Sequence, residues 1–146
     1  QWIGIQSTDI VSIHYESTYQ VQRALDWLEP FGCKRFLAIS PATPVNVLEE
    51  VLDYIDGINL LMVNPGFAGQ HMVLSTLRKA AKVQSLLERE HREEILMEVD
   101  GNITPEHGKT LRSLGASLFV GGTSSIFKGD LSQYRENIRL FRESIV

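Results

Sequence analysis

Five places in the sequence put chemistry-bearing residues directly after an apolar run. His14, followed by Tyr15 and Glu16, ends the first run. An imidazole there can bind a metal or move a proton; the bland alternative is a histidine that hydrogen-bonds a loop. Ser40-Pro41-Ala42-Thr43-Pro44 follows the second run. Its two prolines make a stiff turn, read first as a helix-capping loop and second as a site lining. Asn64-Pro65-Gly66-Phe67-Ala68-Gly69-Gln70 follows the third. Gly66 and Gly69 let backbone N–H groups approach an anion, and Phe67 could cover a ligand. Asp100-Gly101-Asn102 follows the fourth. A carboxylate ending a buried strand is costly unless it is paired, metal-bound or catalytic. The alternative is a cap or turn leading into the next helix. Gly121-Gly122-Thr123-Ser124-Ser125 follows the fifth, before Ile126-Phe127. Backbone N–H groups and a helix N-terminus there would suit a phosphate. His71, His91 and His107 read as surface residues, and Met62 and Met97 as core filler.

The elements that must position these residues are written in the hydropathy. The apolar runs cover residues 9–14, 35–39, 58–63, 95–99 and 117–120. They are apolar almost throughout, the pattern of parallel strands covered on both faces. Between them the period is helical. Val73, Leu77, Ala80, Val83 and Leu87 form one stripe, opposite Arg78, Lys82, Ser85 and Arg89. Leu131, Tyr134, Ile138, Phe141 and Ile145 form another. Thr43-Pro44 and Thr104-Pro105 each place a capping hydroxyl before a proline at the first helical position. Gly115 stands where a left-handed residue ends a helix. The strand ends His14, Ser40, Asn64, Asp100 and Gly122 are 26, 24, 36 and 22 residues apart, the period of βα units. Such units build an open doubly wound sheet or part of a closed (β/α)8 barrel. In both, ligands sit at the C-terminal ends of the strands.

Composition narrows the classes. The chain has 146 residues, 43% hydrophobic and 22% charged, ordinary values for a globular protein. No apolar stretch approaches the roughly eighteen residues of a membrane helix, so no membrane association is expected. The net charge of −4 argues against nucleic-acid binding. A lone cysteine, Cys33, makes no internal disulfide and no Cys-based zinc site. A cytoplasmic location is expected. Gln1-Trp2-Ile3-Gly4-Ile5 has no initiator methionine and no signal-peptide pattern, and reads as the interior of something longer.

Taken in order, these strings resemble the ribulose-phosphate 3-epimerase family. Ile13-His14-Tyr15-Glu16 resembles its histidine strand end, and Ser40–Pro44 its N-P-A-T-P turn. Val63–Gln70 is similar to its V-x-P-G-F-x-G-Q signature, Glu98–Gly101 to its E-V-D-G strand end, and Val120–Phe127 to its final phosphate loop. The resemblance implies a (β/α)8 TIM barrel, with residues 1–146 as a partial barrel domain. They correspond to about the last five βα units, the N-terminal ones being absent. It implies a metal-dependent 3-epimerase of ketose phosphates working by two-base proton transfer. Asp100 would be an acid/base residue and a metal ligand, and His14 a second ligand. The ion would be divalent: zinc, iron, manganese or cobalt. Ser40, Gly66, Gly69, Gly101, Gly122 and Thr123 would bind substrate or its phosphate. The family's second ligand histidine and second catalytic aspartate lie on a strand that nothing here matches. The 146 residues alone are therefore expected to be inactive. A homo-oligomer is expected.

Three positions and the length of one loop depart from the family pattern. Ser40 replaces an asparagine, Leu61 a methionine and Asn102 a second glycine, and the last loop is one residue longer than the usual form. That loop and Gly66-Phe67-Ala68-Gly69-Gln70 look more like the allulose-6-phosphate 3-epimerase branch. Fold does not dictate function. The alternatives are a non-catalytic phosphate-binding barrel and a related metal-independent barrel decarboxylase.

Overall fold

The structure is a computed structural model and describes residues 4–146. Five strands form one parallel sheet: β1 (Ile10–His14), β2 (Lys34–Ile39), β3 (Gly57–Leu61), β4 (Leu96–Asp100) and β5 (Leu118–Phe119). Their spatial order is β1-β2-β3-β4-β5. A doubly wound sheet reverses strand order at a switch point. This sheet does not, so it is an arc of a (β/α)8 barrel. The helices between and after the strands are α1 (Val21–Asp26), α2 (Ser75–Arg89), α3 (Pro105–Ser113) and α4 (Tyr134–Ser144). None among the described residues is long and apolar enough to cross a membrane.

The two faces of the sheet differ. Leu37, Ile39, Ile58, Leu60, Met97 and Val99 face the helices and, with Met62 just past β3, join Leu25, Ala80, Val83 and Leu111 in the core. Met62 and Met97 are both core residues, as expected. The register puts Ser12, Phe36, Gly57 and Leu96 on the inner face, with His14, Ala38, Asn59 and Glu98 one layer on and Leu61 and Asp100 beyond. That face is partly polar, so the strands are not apolar on both sides in the way the runs suggest. Phe36 lies across Gly57, where an added Cβ would stand 2.2 Å from the ring.

Three helix expectations need correction. Thr43 does not cap a helix. Its hydroxyl donates to Glu16 Oε1, a charged and hence stronger acceptor. Pro44 is extended, and residues Val45–Tyr54 form 3-10 turns that bury Leu48, Val51 and Leu52. No helix begins directly after Gly122, at residues 123–127. The N–H groups of Ser125, Ile126 and Phe127 all donate to the Gly122 carbonyl, closing a turn. In the last stripe only Phe141 is buried, while Leu131 lies exposed before α4. Two expectations hold. Thr104 accepts the His107 N–H at 3.2 Å with Pro105 at the first position of α3. Gly115 (φ +92°) ends α3, its N–H bonded to Arg112 and that of Ala116 to Leu111.

Candidate active site

The strand ends open into one cleft of about 450 Å³. His14, Asp100, Gly66, Gly69, Gly101, Gly122 and Thr123 all line it. Ser40 does not. Its N–H donates to Glu16 Oε1 at 3.0 Å and its carbonyl accepts from Lys79 Nζ at 2.6 Å. The turn it begins serves as a brace beside the cleft.

Asp100 is the last residue of β4, paired in register with Leu61. The Met62 N–H donates to its carbonyl at 2.6 Å, which ties the ends of β3 and β4 together. Burial pushes its carboxyl above the usual range, and the His14 imidazole only partly pulls it back. Glu98, one layer deeper, is also raised, by burial and then by the charge of Asp100. Beside Glu98 in register, the Asn59 Oδ1 is buried with no partner among the described residues.

The glycine loops of the cleft take shape from backbone geometry. Gly66 (φ +143°) and Gly69 (φ +83°) occupy conformations that disfavour side chains, and both face open space. Gln70 closes their loop, its Nε2 donating to the carbonyls of Asn64 at 2.6 Å and Phe67 at 2.9 Å. Phe67 is exposed at the rim. Gly101 (φ +114°) packs so closely on Val63 that a Cβ would lie 2.7 Å from Cγ2. Gly122 faces open space. The backbone amides of Gly122 and Thr123 do not enter the turn bonds to the Gly122 carbonyl.

Sequence reasoning assigns no role to three residues that support the cleft. Lys79 is buried and donates to the carbonyls of Ser40, Pro41 and Thr43 at 2.6–2.8 Å. Burial lowers its pKa, partly offset by Glu16. Its signal was a lysine on the same helix face as Thr76, Ala80 and Val83. Glu16 completes this brace. Burial raises its carboxyl, but bonds from Thr43 and Ser40 outweigh that and hold it low. Its Oε2 also lies 3.9 Å from His14 Nδ1. Asn102 (φ +52°) links two loops, and its carbonyl lies 2.9 Å from His107 Nδ1, so His107 is not merely a surface residue.

His14 and Asp100 offer the nitrogen and oxygen donors that borderline divalent ions accept. They suit such an ion in kind. Among the described residues no group of three or more His, Cys, Asp or Glu side chains could hold one.

A family model for the ribulose-phosphate 3 epimerase family matches residues 2–127. The chain is 42% identical over 135 residues to a ribulose-phosphate 3-epimerase of Buchnera aphidicola subsp. Baizongia pistaciae (strain Bp), covering 92% of this chain and 58% of that protein. Proteins of the same name show 33% identity in Bacillus subtilis (strain 168), over 90% of this chain and 60% of theirs, and 34% in Escherichia coli (strain K12), over 89% and 57%. The chain thus spans 57–60% of the length of these three relatives. The match spans most of the sequence, and the chain belongs to the ribulose-phosphate 3-epimerase family.

Proposed function

We propose that the full-length protein inverts the carbon next to the ketone of a ketose phosphate, using this cleft. One observation carries the reading: a half-buried carboxyl and an imidazole share a single cleft with glycine loops open to a ligand. The carboxyl of Asp100, raised by burial, is a better base once ionised than an ordinary exposed aspartate. It takes the proton from, or returns it to, C3 on one face of the sugar. A divalent ion held by His14 and Asp100 would, when bound, polarise the adjacent carbonyl and offset the charge developing on its oxygen. Zinc, iron, manganese and cobalt all suit this donor pair. Gly122 and Thr123 hold the phosphate through backbone donors, with Gly66, Gly69 and Gly101 bordering its approach. Phe67 shields the sugar from water. Inversion needs a second proton carrier on the opposite face. Asp100 is the one carboxylate lining the cleft among the described residues, so that carrier comes from outside them.

These relatives carry the name of a pentulose phosphate enzyme, whereas the last loop and Ala68 favour a hexulose 6-phosphate. Both belong in the assay. His14→Ala in the full-length protein should lower bound metal and turnover together, with only partial recovery in excess metal. Metal content equal to wild type by elemental analysis would remove His14 from the ligand set. A wild-type protein that binds phosphate yet turns over neither sugar would instead favour the non-catalytic module.

A further inference from the structure

We propose that Asn102 is a positioning residue that sets the spacing between the two loops receiving the substrate phosphate. The inference rests on the reading of the cleft as a ketose phosphate site. Its side chain spans the gap between them. Oδ1 accepts the Met72 N–H at 3.2 Å, two residues beyond the Gln70 that closes the first loop. Nδ2 donates to Ser124 Oγ at 2.8 Å, directly after Gly122 and Thr123 in the second.

Asn102 is itself held in place. Its φ of +52° is left-handed, a conformation asparagine tolerates better than most residues. From behind, His107 on α3 lies 2.9 Å from its carbonyl, and Thr104 caps the same helix. On the other side it is two residues from Asp100, whose carbonyl is pinned by Met62. A glycine would meet the backbone demand equally well. The amide side chain adds only the two bonds, and both run to loops of the cleft. A link between two loops that grip one dianion acts on binding in the ground state and transition state alike. It therefore moves KM more than kcat.

The test is Asn102→Gly in the full-length protein, which keeps the left-handed backbone and removes both bonds. We expect the dissociation constant for inorganic phosphate and the KM for ketose phosphate to rise roughly tenfold, the scale of two lost hydrogen bonds. The kcat should stay within about twofold. Amide exchange at Met72 and across residues 64–74 should quicken. Ser124→Ala should weaken phosphate binding less, and the double variant should bind no worse than Asn102→Gly, because both cut one link. Faster exchange with unchanged phosphate affinity would overturn the proposal by showing a purely structural tie. Unchanged exchange would overturn it by showing no tie at all. A fall in kcat at constant KM would also overturn it. If the wild-type protein binds phosphate but epimerises nothing, the epimerase reading fails and the phosphate constants alone decide this one. If it binds no phosphate, both fall.

Discussion

Asp100→Asn in the full-length protein should cut turnover by about a hundredfold or more while phosphate affinity survives. The expectation follows from where the residue sits. Asp100 ends β4 on the inner face, lines the cleft, and is the one carboxylate that does so among the described residues. Asparagine matches its shape but cannot accept a proton, and losing a positioned acid/base group costs about 10²–10⁴-fold. The loops proposed to hold the phosphate hang on other contacts. Gln70 ties the first and the Gly122 carbonyl closes the second, so neither depends on the charge of Asp100. A drop in kcat without a matching loss of phosphate affinity is the signature to look for. A folded variant with near-normal turnover would take Asp100 out of the reaction.

Gly57→Ala should destabilise the barrel severely for so small a change. An added Cβ would stand 2.2–2.5 Å from three ring atoms of Phe36, which is fully buried on the neighbouring strand. The backbone of Gly57 is held by pairing in register with both Phe36 and Leu96, and full burial leaves the Phe36 ring little room to move. Overpacking of this kind costs about 3 kcal/mol. In a protein of barrel size that lowers Tm by roughly 6 to 12 °C. Phe36→Leu alone should also destabilise, by leaving a void. Combined, the two changes should cost clearly less than their sum, because the smaller side chain makes room for the methyl. Thermal melts of the four proteins decide it. Additive losses would mean that Phe36 and Gly57 do not share that space.

The barrel arc is legible in the sequence because covered parallel strands are written as continuous apolar runs. Each strand falls within a few residues of its run. Residue 63 reads as the end of the third, but the strand stops at Leu61: the Met62 N–H still bonds across to the Asp100 carbonyl, whereas the Met62 carbonyl accepts from Val73 in the following loop. Strand order is not legible, since local periodicity carries no information about which runs become neighbours. The residues that meet in the cleft are legible because loop glycines and strand-end polar groups have few other reasons to be there. The supports are not. Lys79 sits in a helical stripe whose pattern predicts an apolar contact, and its three carbonyl partners lie 36–39 residues away. Thr43 beside Pro44 satisfies every local rule for a cap, yet a carboxylate from the loop after β1 takes its hydroxyl. Ile126-Phe127 looks like a helix start until three N–H groups converge on the Gly122 carbonyl. In each case a long-range or competing partner overrides a correct local preference.

The central claim is that Asp100 moves a proton at the carbon beside a ketone. It is tested most directly by incubating the full-length, metal-supplemented protein with ribulose 5-phosphate or a hexulose 6-phosphate in D₂O. The reaction is then followed by proton NMR. The epimer should form with deuterium at C3, and Asp100→Asn should slow both epimer formation and loss of the C3 proton signal. An epimer that keeps its original C3 proton, or a folded, phosphate-binding protein that exchanges no proton in either sugar, would contradict it.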